Sequence, residues 1–128
     1  MKTHKDLEVW KKSIEMVTKI YTLTRNFPKE ELYGLSSQVR RAAVSVASNI
    51  AEGAGRKSDK ELLQFLYYSM GSLSEIETQL IISYNLGYLN NEQKQDIDAL
   101  LSSIFKMLSG LITSLKKNNL PYNPITRN

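Results

Sequence analysis

The side chains best suited to chemistry in this 128-residue sequence are basic pairs. Arg40 and Arg41, then Arg56 and Lys57, bracket the run QVRRAAVSVASNIAEGAGRK (38–57), and Lys60 follows closely. Guanidinium and ammonium groups at this density suit contacts to phosphate oxygens. They suit intramolecular ion pairs equally, and both readings stand at this point. The carboxylates Glu52, Glu75 and Glu77 are the other candidates. A metal-dependent nuclease needs several clustered acids, whereas Glu75 and Glu77, two residues apart on a helix, point to different faces. The favoured arrangement is structural. Glu52 or Glu75 pairs with Arg40 or Arg41, and Asn49 and Ser72 complete a polar network between helices. A buried network of that kind fixes helix register more than it adds stability.

No catalytic constellation can be assembled from the rest. The chain has no cysteine and one histidine, His4, read as a solvated residue near the N-terminus. It carries no HExxH motif and no Glu-x-x-His pair of the type that builds metal sites in bundles. The loop GAGRKS (53–58) lacks the spacing of a phosphate-binding loop and has no strand before it, so it reads as a helix-stopping turn. The expectation is a non-enzymatic protein with no metal and no cofactor.

Four amphipathic segments position these residues. The first helix is expected over about 5–25, with Thr3 and Asp6 as a cap. Its seam is Leu7, Trp10, Ile14, Val17, Tyr21 and Thr24, and Met16, Ile20 and Leu23 form a second strip. Asn26 and Pro28 end it. The second helix, about 32–53, places Leu35, Val39, Ala42, Val46, Ile50 and Gly53 on one face and the small residues Val44, Ala47 and Ala51 on another. Ser58 and Glu61 form a capping box for the third helix, 58–86, with a seam of Leu62, Leu66, Ser69, Leu73, Ile76 and Leu80. Gly71 within it costs about 1 kcal/mol relative to alanine, which close approach of the second helix would offset. Asn90 or Asn91 caps the fourth helix, 91–117, with a seam of Ile97, Leu101, Ile104, Leu108, Leu111 and Leu115. The fold class is all-α, an antiparallel up-down-up-down four-helix bundle over 1–117 with a C-terminal tail over 118–128.

The run RRAAVSVASNIAEGAGR (40–56) resembles the signature of the four-helix-bundle proteins encoded in intervening sequences of bacterial 23S rRNA genes, a group that includes the accessory protein of diversity-generating retroelements. LEVWKKS (7–13), FPKEELYGLSSQ (27–38) and GSLSEIETQL (71–80) agree with it. The resemblance covers roughly residues 5–90 closely and the last third only by pattern. Such proteins commonly carry a proline where this chain has Ala47, so any kink there is expected to be weaker or absent. The resemblance implies a ring-like homopentamer, with RNA or DNA as ligand and a nucleic-acid-processing protein such as a reverse transcriptase as a further candidate partner.

Charge fits that expectation. The net charge is +4. Residues 32–57 carry four basic residues against one acidic, and residues 58–90 carry one against four. Complementary faces of adjacent helices explain this, as does a phosphate-binding segment. Five copies of a +4 chain around an axis make weak contacts effective together, with low sequence specificity. The alternative is a protein-interaction scaffold that touches no nucleic acid. The N-terminus is charged from the start and no apolar run approaches the roughly 18 residues of a bilayer span, so a cytoplasmic protein without membrane partners is expected.

Overall fold

The first helix buries parts of both strips that its apolar spacing suggests. In a computed structural model describing residues 3–119, α1 (Glu8–Thr24) turns Val9, Ser13, Met16, Ile20 and Thr24 into the core. Of the expected seam, Thr24 is buried and Leu7, Trp10 and Val17 pack half-buried against the core, but Ile14 (41% exposed) and Tyr21 (39%) face outward. Val9 and Ser13 lie outside both expected strips, and Ser13 and Thr24 are polar. Their hydroxyls donate to the carbonyls of Trp10 (2.7 Å) and Ile20 (2.7 Å) in their own helix, so burial leaves neither unsatisfied. His4 is not simply solvated, since its ring meets Trp10 edge-on at 4.9 Å.

Three further helices follow: α2 (Leu35–Ala54), α3 (Asp59–Asn85) and α4 (Asn91–Asn119). Each packs on its chain neighbour, and α1 closes the ring against α4. Their directions alternate. Ser69 donates to the Val46 carbonyl (2.9 Å), Ser72 to Ser45 (2.9 Å) and Gln79 to Gln38 (3.4 Å), so each step up α3 is a step down α2. Arg40 meets Thr24, Tyr84 meets Asn91, and Lys19 meets Asp96, giving the same antiparallel sense to the other three pairs. Buried Val39, Val46, Ile50, Leu66, Ile76, Leu80, Ile97, Ile104 and Leu108 form the centre. The α4 seam drifts near its end, where Ile112 is buried and Leu111 and Leu115 are half-buried. A 3.6-residue turn gains on a seven-residue repeat in this way.

The ends of the helices follow local chemistry. A 3-10 turn at His4–Asp6 delays α1 by three residues, and the Thr3 hydroxyl accepts the Lys5 N–H (3.2 Å) in place of capping the helix. A second 3-10 turn, Lys29–Glu31, delays α2, whose first amide, Leu35 N–H, is taken by the Glu31 carboxylate (3.1 Å). Ser58 caps α3 through the Glu61 N–H (3.1 Å), and Gly87, at φ +83°, stops it. Asn90 and Gln93 exchange reciprocal backbone–side-chain bonds (2.8 and 2.9 Å) to start α4. Helix α2 runs unbroken through Ala47. Of the expected tail, residues 118–119 belong to α4 and residues 120–128 lie outside the described residues. By length and composition alone α4 is apolar enough to cross a membrane, although Asp98 and Lys106 interrupt its apolar run, and its Ile97, Leu101, Ile104 and Leu108 face the bundle core.

The glycine that permits close helix approach is Gly53, not Gly71. A Cβ at Gly53 would stand 2.8 Å from Phe65 Cβ and 3.3 Å from the Leu62 carbonyl oxygen, so α2 and α3 meet there only because position 53 has no side chain. Gly71 is exposed, with nothing within 4 Å of the corresponding point. Gly71→Ala should therefore raise stability by about 1 kcal/mol through helix propensity alone, measurable as a higher urea midpoint. A drop in stability or in oligomer mass would show that another helix uses the space.

Glu31 also ties the two turns at this end of the bundle, because the Tyr88 hydroxyl donates to its other carboxylate oxygen (2.9 Å). Phe27, buried, packs on the Tyr88 ring at 5.3 Å. The bond to Glu31, helped by burial and by the charges of Glu31 and Glu30, raises the phenol above its ordinary value of 10.0. A raised folded-state value means stabilisation that is complete below pH 10 and lost as pH climbs through the folded-state value. The wild-type denaturation midpoint should thus fall above pH 10 by more than that of Tyr88→Phe. Parallel pH profiles would rule out the linkage.

Candidate nucleic-acid interface

The five basic residues singled out from sequence do not form one patch. Arg40 is half-buried in the α1–α2 groove, where its Nε donates to Thr24 Oγ1 (2.7 Å) and its guanidinium lies 4.7 Å from the centre of the Tyr21 ring. That geometry makes Arg40 a clamp between two helices. Arg41 is exposed on the α2–α3 side and makes no ion pair or hydrogen bond among the described residues. Arg56 lies roughly 22 Å further along α2 at 1.5 Å per residue. It pairs with Glu52 (2.7 Å) and covers the Phe65 ring at 4.8 Å. Lys57, beside it in the α2–α3 turn, and Lys60, in the first turn of α3, are exposed and unpaired among the described residues.

Alternating helix directions add residues to this second cluster that the sequence holds far apart. The beginnings of α1 and α3 and the ends of α2 and α4 share one end of the bundle. Lys5, Lys57, Lys60, Lys116 and Lys117 all belong to that end, and all are exposed. The exposed carboxylates of Asp59 and Glu61 lie among them, while those of Glu8 and Glu52 are taken by Lys11 (3.2 Å) and Arg56 (2.7 Å). The opposite end mixes Arg25, Lys29 and Lys94 with Glu30, Glu31, Glu92, Asp96 and Asp98. The bundle therefore has a basic end and a mixed one.

The polar network is real but differs in membership. Asn49 donates to the Ser45 carbonyl (2.8 Å) and hydroxyl (3.0 Å), and Ser72 reaches the same hydroxyl (2.9 Å) across the helix pair. Glu75 accepts from Gln79 (3.3 Å), which also contacts Gln38. Glu52 stays out because its partner Arg56 lies four residues ahead, just past the end of α2, and neither Glu52 nor Glu75 pairs with Arg40 or Arg41. Glu77 faces the other side of α3, into the groove with α4. Among the described residues no group of three or more acidic, histidine or cysteine side chains could hold a metal ion.

A family model described as 23S rRNA-intervening sequence protein matches residues 5–110. The chain belongs to that family. A crystal structure at 1.70 Å resolution gives the fold independently. It is of a protein with unknown function from the S23 ribosomal protein family of Bacteroides thetaiotaomicron, with a TM-score of 0.76 and 24% identity. The likeness covers 82% of this chain and 95% of that one. No curated protein matches. In this intervening-sequence family protein, the signature stretch thus contributes mainly to packing between α2 and its neighbours. Its basic flanks divide between a helix clamp, Arg40, and exposed charges. Sequence reading did not join Lys5, Lys116 and Lys117 to Lys57 and Lys60, although antiparallel topology alone would have done so.

Proposed function

We propose that this 23S rRNA-intervening sequence protein is a non-enzymatic, self-associating binding module for the phosphate backbone of RNA or DNA. Its contact surface is the basic end of the bundle. The observation that carries this is the convergence of Lys5, Lys57, Lys60, Lys116 and Lys117, all exposed and without ion-pair partners among the described residues. Lysine is a mobile point charge with no planar fork to match a base edge, so such a surface binds with little sequence preference. The outward strip of α1, with Ile14 and Tyr21, and Val44 (41% exposed) on α2 offer apolar surface for association, and a homopentamer multiplies the basic end fivefold. The same strips favour a second reading, a scaffold for a nucleic-acid-processing protein in the cytoplasm.

Five lysine–phosphate contacts imply a salt slope near −4, or roughly a 100- to 500-fold loss of affinity between about 50 and about 200 mM salt. Fluorescence anisotropy with a labelled duplex and an unrelated sequence of equal length measures this. Affinities should be steep in salt and alike for the two sequences. Absent or salt-independent binding would favour the protein scaffold.

A further inference from the structure

A second feature lies near the mixed end, in the groove between α2 and α3. It is a concavity of about 460 Å³, within the range of small-molecule sites. Tyr33 stands on its rim, 91% exposed, with no ring partner among the described residues. The free guanidinium of Arg41 lines one wall, and the carboxylate of Glu75 the other. Buried Gln79 donates to Gln38 Oε1 (3.4 Å) and Glu75 Oε2 (3.3 Å), so Glu75 Oε1 remains free to accept and the Gln38 amide to donate. The Ser45 oxygen already accepts from Asn49 and Ser72, so its own proton is available to donate. One concavity therefore offers an aromatic face, a cation, a hydroxyl donor and acceptors.

We propose that this groove holds a single unpaired nucleotide. The base stacks on Tyr33, its exocyclic amino group donates to Glu75, a ring nitrogen or carbonyl accepts from the Gln38 amide, and Arg41 meets the adjoining phosphate. An unstacked base with an open edge is the ligand that uses all of these groups together, and single-stranded RNA is recognised in this manner. The site rests on the phosphate-binding reading and deepens it: lysines at the far end hold the backbone, and the groove selects single-stranded segments.

The test compares a single-stranded RNA of about 12 nucleotides with a duplex of the same length. Tyr33→Leu, a change at an exposed position, should weaken the single strand about 5- to 100-fold and leave the duplex unchanged. Tyr33→Trp should retain single-strand affinity, since a larger aromatic face replaces the phenol. Equal affinity of Tyr33→Leu and wild type for the single strand would overturn the site, as would an equal loss on the duplex. A wild-type protein that binds neither RNA would remove the phosphate reading and this site with it.

Discussion

Replacing Ala47 with glutamate should unfold the chain. Ala47 lies on α2 beside fully buried Ala43 and Val46, and is itself only 6% exposed. The small side chains let α3 approach closely enough for the Ser69 hydroxyl to reach the Val46 carbonyl at 2.9 Å. A glutamate there adds a methylene and a charged carboxylate at a buried, closely packed position. Overpacking costs about 1–3 kcal/mol, and an uncompensated buried charge several more. Together these approach the 5–15 kcal/mol by which domains of this kind are typically stable. Loss of helical circular dichroism, or a urea midpoint near zero, is the expected result. Native-like melting would mean that α2 does not pack through this face. Burial of Ala47 inside one bundle makes this variant uninformative about assembly. Val44→Glu serves that purpose: at 41% exposure it should leave the fold intact and lower the oligomer mass if the outer face of α2 is a contact.

Much of the bundle was legible because three of its helices keep apolar residues where the core needs them. The α2 and α3 seams lie on the buried faces, and the turn chemistry of Ser58 and Asn90 marks two helix starts. On α1 apolarity and burial part company at a few positions. Ser13 and Thr24 bond to their own helix and so enter the core at little cost, while Ile14 and Tyr21 stay outside. Gly71 and Gly53 show the same difficulty. A glycine's sequence context does not reveal whether a neighbour approaches, since contact depends on azimuth around the helix. The candidate site was less legible for a different reason. Lys5, Lys60 and Lys116 share one end of the bundle only through topology, and Arg40 is withdrawn by Thr24 and Tyr21, residues on another helix.

The second large effect concerns position of charge. Lys57→Gln/Lys60→Gln and Lys19→Gln/Lys106→Gln both lower the net charge from +4 to +2. They differ in place, the first at the basic end and the second on α1 and α4 away from it. Counterion release predicts that losing two phosphate contacts flattens the salt slope by about 1.5–2 and lowers affinity at low salt by roughly 10- to 100-fold. Removing distant charge should change affinity by a small factor only, because screening limits its reach to about 10 Å.

The most direct measurement is therefore the salt dependence of RNA affinity for wild type and these two matched variants. The predicted result is a shallower slope and weaker binding for Lys57→Gln/Lys60→Gln, with Lys19→Gln/Lys106→Gln close to wild type. Equal losses in both variants would show that only total charge matters, and no loss in either would place the contacts elsewhere. Each of those results contradicts a binding surface at the basic end of the bundle.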